Sequence, residues 1–268
     1  MYIIMTIYDF PKINSSKLLD DVTLIFITSP IPSHPDASLM ETCIESMKST
    51  KYNFYETVIS YDCPKGPNKD YNKYKNYVKK KYPKFTHLER KTHGHFIGTL
   101  NNALRYCKTK YFLLVQHDVK LVGGEFPIKK ILKCKFDWNI IFTHHKKNGL
   151  TEPTHWFPII KKTRKPVPSF LLKTFGWSER IFIADTKFLR DKIDEIEHEK
   201  KSSKFVESVF HKEFDRKFKK LENIKTYKDL PKKSKNQKEY DGYWKEWQCY
   251  AVKSKICYHT HLFGRTHK

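Results

Sequence analysis

Val22-Thr23-Leu24-Ile25-Phe26-Ile27-Thr28 is a near-continuous apolar run of strand length, the kind found where a strand is covered on both faces. The segments on its C-terminal side set the fold class. A Pro- and Ser-rich loop from Ser29 to Pro35 leads to Ser38, with Glu41 three residues on, which reads as a capping box at a helix start. Leu39, Met40, Cys43, Ile44 and Met47 then share one helical face. A second strand is expected from Thr57 to Tyr61, running into Asp62-Cys63-Pro64. Asp70 to Lys81 reads as a polar helix whose Lys79-Lys80-Lys81 end is stopped by Pro83. Phe85 to Leu88 reads as a short strand, and Ile97, Leu100, Ala103 (or Leu104) and Cys107 have helical spacing. Tyr111 to Val115 forms the third strong strand and ends in Gln116-His117-Asp118; Trp138 to Phe142 forms a fourth and ends in Thr143-His144-His145.

Strands alternating with helices predict an α/β fold, with a mostly parallel sheet and helices on both faces. The second half is less regular. Strands are expected at Ser169 to Thr174 and Ile181 to Ala184, and helices at Lys187 to His198 and Phe205 to Lys219. Lys225 to Lys238 is Lys-rich and reads as an exposed loop. With no internal repeat or convincing linker, residues 1–268 read as a single domain. That length suits one substantial core.

Composition narrows the class further. A hydrophobic content of 39% and an aromatic content of 15% over 268 residues are too high for a disordered polyelectrolyte. No apolar run approaches the ~20 residues of a membrane span, and Met1 to Lys12 carries neither a basic leader nor a small-residue cleavage site. Six cysteines without a CxxC pair are expected to be buried free thiols, which points to a cytoplasmic protein and away from cysteine-bound zinc. The formal net charge of +23 has two readings. A basic surface attracts nucleic acid, an anionic membrane face or a phosphorylated substrate. Alternatively, lysine is enriched evenly along the chain, and no basic helix or arginine-rich arm stands out. The second reading predicts no specific nucleic-acid partner.

In parallel sheets ligands bind beyond the carboxyl ends of the strands, and two of the four strong runs end in a carboxylate, Asp62 and Asp118. Asp118 can hold Mg²⁺ or Mn²⁺ against a diphosphate through hard oxygen ligands, or simply cap the next turn. Asp62 can accept hydrogen bonds from a base or ribose, or serve the turn before Pro64. His259 and His261 project to the same side of an extended segment and can be metal ligands. Glu207 lies among Phe205, Val206, Val209 and Phe210, where desolvation favours a general base; a solvent-facing position on an amphipathic helix fits equally. Trp177-Ser178-Glu179-Arg180 combines a ring, a carboxylate and a guanidinium suited to sugar recognition, or to a structural corner. There is no P-loop, no G-x-G-x-x-G and no G-x-S-x-G elbow.

The order of these elements resembles a GT-A fold glycosyltransferase, closest to the large inverting nucleotide-sugar-dependent family. The carriers are TLIFITSPIP at 23–32, VISYD at 58–62, GHFIGTLNNALRYCKTKYFLLVQHD at 94–118 and HTHLFGR at 259–265. The resemblance implies a nucleotide-binding half at about 20–145 and an acceptor-binding half at about 146–268, with Thr28, Asp62, Asn102, Gln116 and His117 holding the nucleotide. Gln116-His117-Asp118 stands at the family's Asp-x-Asp motif, with Asp118 on the metal and His261 or His259 completing its coordination. Glu207 falls near the catalytic base, and Trp177, Glu179 and Arg180 near the acceptor. The expected partners are a nucleotide-sugar donor, UDP-linked by preference, and a glycan or other hydroxyl acceptor. The expected cofactor is Mn²⁺ or Mg²⁺, and displacement by a single base implies inversion. Gln116 replaces the first acid of the motif, which removes one carboxylate contact. A basic nucleic-acid-binding protein and a catalytically degenerate sugar-nucleotide-binding fold are the competing readings.

Overall fold

The computed structural model describes residues 18–30, 35–50, 52–122, 126–134, 137–142, 146–147, 150–151, 168–173, 181–199, 247–252 and 259–262. The first unit alternates strictly: β1 (Leu18–Thr28), α1 (Ser38–Lys48), β2 (Asn53–Tyr61), α2 (Lys69–Lys81), β3 (Thr86–Glu89), α3 (His95–Tyr106) and β4 (Tyr111–Gln116). Its strands pair in parallel in the order β3-β2-β1-β4. Strand β1 is central, and Val22, Ile25 and Phe26 are completely buried, so the uninterrupted apolar run has a physical cause: both of its faces are covered.

Helices lie on both faces. Ser60 Oγ on β2 donates to the Thr99 carbonyl of α3, and Thr28 on the opposite face of β1 meets Tyr74 of α2 through their hydroxyls, 2.8 Å apart. Helix α1 joins α2 through a Lys81–Glu41 ion pair at 2.6 Å. The expected capping box does not form. Asp36 Oδ1 accepts from the Ser38 N–H and Oγ instead, because Glu41 is taken up by the full charge of Lys81. Helix α2 is capped by Asn68, whose side chain accepts from Tyr71 N–H. It is polar only on its outer face, since Tyr71, Tyr74 and Val78 turn inward.

The remaining described elements are β5 (Val119–Leu121), α4 (Ile128–Leu132), β6 (Ile140–Phe142), β7 (Lys146–Lys147), β8 (Leu150–Thr151), β9 (Leu171–Lys173), β10 (Phe182–Asp185), α5 (Thr186–Glu199), β11 (Cys249–Val252) and β12 (His259–His261). The main sheet has eight strands in the order β3-β2-β1-β4-β10-β6-β11-β9. Strand β10 is inserted antiparallel between β4 and β6. Four of the seven pairings are parallel, so the α/β class and the mostly parallel sheet are established. Because β10 pairs with β4 on one side and β6 on the other, one sheet runs across both sequence halves. Helix α5 packs beside α3, where Asp194 accepts from Asn101 and Arg105. Of the five described cysteines, all free, Cys43, Cys107 and Cys249 are buried. Among the described residues, no helix is long and apolar enough to cross a membrane.

One half-buried histidine, His87, gives the fold a pH dependence. His87 Nε2 donates to the Tyr82 carbonyl at 2.9 Å, so its Nδ1 accepts from Tyr61 Oη at 3.0 Å. Burial pushes the His87 pKa down and outweighs the opposing bond to Tyr82. Folding therefore favours the neutral ring. Its contribution is complete above the unfolded value of about 6.5 and is lost as pH falls through the lower folded value. A melting curve that declines from pH 7 to pH 5 is expected for the native chain, with a shallower decline for His87→Gln. Parallel profiles would exclude the assignment.

Candidate functional site

A cleft of about 460 Å³ lies beyond the carboxyl ends of β1, β2 and β4, within the size range of small-ligand sites. Thr28 comes from the tip of β1, Asp62 from β2, and Gln116 and His117 from β4. The loop Pro64–Asn68 and the entrance to α3 complete its walls. Sheet bonding fixes the strand tips to one another. Asp62 N–H donates to the Thr28 carbonyl at 2.9 Å, and His117 N–H donates to Ile27 at 3.1 Å. The Thr28 carbonyl also accepts from Tyr71 Oη, so the inward face of α2 anchors the floor of the cleft. Burial pushes the Tyr71 and Tyr74 pKa values far up, so both remain neutral hydrogen-bonding groups.

Asp62 is buried at 3% exposure. Its Oδ1 accepts from the N–H groups of Cys63 and Gly94, each at 2.9 Å, which ties the β2 tip to the start of α3. Its Oδ2 lies 3.0 Å from His93 Nδ1. That nitrogen sits 2.6 Å from the Cys63 carbonyl, which can only accept, so the Nδ1 proton points there and Oδ2 receives no hydrogen bond. Buried carboxylate oxygens are ordinarily bonded. His93 and His95 meet edge to face with ring centroids 4.1 Å apart. His95 holds the left-handed φ of 51°, a conformation that costs a non-glycine residue energy. Its pKa is pushed down by burial first, then by His93 and Lys65, with Asp62 opposing.

Four expected nucleotide residues, Thr28, Asp62, Gln116 and His117, thus meet at one cleft. Asn102 is on α3 with its amide 3.5 Å from Ser60 Oγ, outside the residues that line it. Asp118 is also outside that lining. It stands in the turn before β5, a strand that pairs antiparallel with β12, so His261 lies opposite Val119 and His259 opposite Leu121. Leu262 N–H donates to the Asp118 carbonyl at 2.7 Å. The backbone therefore carries the late His-Thr-His segment to the position next to Asp118. Among the described side chains, no three His, Cys, Asp or Glu groups gather as a metal cluster. Glu207, Trp177, Glu179 and Arg180 lie outside the described residues.

Sequence reasoning passed over Lys65, Asn68, His93, His95, Phe96 and Thr99, all of which line the cleft. Two signals mark them: a Pro-Lys-Gly-Pro loop directly after a strand ending in Asp62, and at His93-Gly94-His95 the same His-x-His spacing that singled out His259 and His261.

Solved structures similar to this chain include S. aureus TarS 1–349, at 18% identity over 64% of this chain and 49% of that one, with a TM-score of 0.44. HddC from Yersinia pseudotuberculosis aligns at 14% identity over 89% of this chain and 92% of its own, with a TM-score of 0.47. The mannosyltransferase PcManGT from Pyrobaculum calidifontis, in complex with GDP-Man and Mn²⁺, aligns at 14% identity over 64% and 46%, with a TM-score of 0.42. TarS has also been solved with UDP and with UDP-GlcNAc. The alignment spans about half the length of the TarS 1–349 chain. At these values the likeness does not extend to function. No family model matches the chain, and no curated protein matches its sequence.

Proposed function

We propose that the chain transfers a sugar from a nucleoside diphosphate sugar, UDP-linked by preference, to a hydroxyl of a glycan or similar acceptor. The observation that carries this reading is the convergence of three strand tips on one cleft lined by Thr28, Asp62, Gln116 and His117. Asp62 Oδ2 offers an acceptor to a ribose hydroxyl or a base N–H, and the Gln116 amide offers a neutral partner to the ribose. Glu207 is assigned as the base that deprotonates the acceptor hydroxyl, with Trp177, Glu179 and Arg180 at the acceptor. A single displacement at the anomeric carbon then inverts its configuration.

The donor set for a cation fits in chemical type: the carboxylate of Asp118, and beside it the strand that carries His259 and His261. Carboxylate oxygen and neutral imidazole suit Mn²⁺, and carboxylate alone suits Mg²⁺. Bound there, the ion would stabilise the negative charge that collects on the departing diphosphate.

Calorimetry with UDP, UDP-GlcNAc and GDP-Man, with and without Mn²⁺, tests both parts. The expected result is metal-dependent binding of at least one of them, weakened about tenfold or more by Asp118→Ala, or about 1.4 kcal/mol. Equal binding by the variant removes the metal role. Failure of all three nucleotides to bind the native chain removes the donor reading.

A further inference from the structure

The turn from His93 to His95 makes the histidine wall of the cleft, and one side chain spans it. The Arg90 guanidinium donates from Nε to the Thr92 carbonyl at 3.2 Å, just before the turn. From Nη1 it donates to the Gly98 carbonyl, just after it. Its own N–H is bonded to Tyr61 at the end of β2. The plane of the guanidinium lies directly against two glycines. A Cβ on Gly94 would sit 2.5 Å from Nε and 2.6 Å from Cζ of Arg90, and one on Gly98 would sit 2.9 Å from Cζ. Gly94 in turn donates its N–H to Asp62 Oδ1. Between the two bonded carbonyls lie His93 and the left-handed His95, both facing the cleft.

We propose that Arg90 is a positioning residue for the cleft: its guanidinium clamps both ends of the His93–His95 turn and presses Gly94 onto Asp62, which sets the histidine wall that a bound nucleotide would meet. The role of that wall in nucleotide binding rests on the proposed nucleotide-sugar donor; the clamp itself does not. Gly94 and Gly98 are glycine because the guanidinium occupies the space of a side chain. Lysine cannot substitute, since an ammonium lacks the planar fork that reaches both carbonyls.

The test is a double-mutant cycle on the full chain with Arg90→Ala, Gly94→Ala and the pair, plus Arg90→Lys. Two readouts are used: the ¹H–¹⁵N titration of the His95 ring and the calorimetric affinity for UDP. His95 reports the geometry because burial, His93 and Lys65 lower its pKa while Asp62 opposes them. Loss of the clamp is expected to move the His95 titration toward about 6.5, and Arg90→Lys is expected not to restore it. UDP affinity should fall about tenfold in Arg90→Ala. Gly94→Ala should reproduce both changes by pushing the guanidinium away, and the pair should be no worse than Arg90→Ala alone. Additive losses, or an unchanged His95 titration in both single variants, would overturn the proposal. If Arg90→Ala does not fold, Gly94→Ala and Arg90→Lys still decide it through His95. Absence of UDP binding by the native chain bears on the donor reading only, since the His95 cycle needs no ligand.

Discussion

Asp62→Asn is expected to weaken UDP binding about tenfold or more, or about 1.4 kcal/mol, while leaving the melting temperature close to that of the native chain. The two carboxylate oxygens do different work. Oδ1 accepts from two backbone N–H groups, and an asparagine carbonyl in its place keeps both bonds. Oδ2 has no hydrogen bond within the protein. In the variant it becomes an NH₂ group, so the acceptor that the proposed function assigns to a ribose hydroxyl or base N–H becomes a donor, and the ligand would meet a like group. Asp62→Ala separates the two roles from the other side. It orphans the Cys63 and Gly94 N–H groups, and each buried loss of this kind costs about 1–3 kcal/mol. The alanine variant should therefore lose stability and binding together. Calorimetry and thermal melting on both variants check the pair, and full binding by Asp62→Asn would detach this carboxylate from the ligand.

The second large effect concerns stability. Phe182→Ala is expected to cost about 3–5 kcal/mol, the usual range for removing a fully buried aromatic ring. Phe182 is 0% exposed and stands edge to face with Phe112, ring centroids 5.8 Å apart. It lies at the seam where β10 joins β4 to β6, so the cavity would open in the middle of the sheet. Urea unfolding should show a lower midpoint with an unchanged slope. A loss under about 1 kcal/mol would mean that this seam is not part of the core.

The first unit of the fold is written locally, which is why it is legible in the amino-acid order. The central strands β1 and β4 are apolar on both faces, and each helix carries its own stripe, as at Met40, Cys43, Ile44 and Met47. The insertion of β10 is not legible. Ile181 to Ala184 reads as a strand, but its neighbours are chosen by a sheet assembled from remote segments. The same limit applies to the site. Asp62, Gln116 and His117 are visible because strand tips in such sheets point at ligands. His93, His95 and Lys65 are not, because they enter the cleft from loops whose path depends on the clamp of Arg90 and the carboxylate of Asp62. The capping box at Ser38 fails for a related reason: Glu41 satisfied the local pattern but found a full charge on a neighbouring helix.

The late arrival of β10 has a consequence for biosynthesis. While the chain emerges from the ribosome, β1 to β4 can pair and collect their helices, yet the outer edge of β4 has no partner until residues 182–185 have been made. Tyr111 to Val115 thus waits as an open, strongly apolar edge during elongation, the kind of surface that recruits foreign strands. Closing that gap, rather than forming the helices, is the step at which a half-made molecule passes from a sticky intermediate to a safe one.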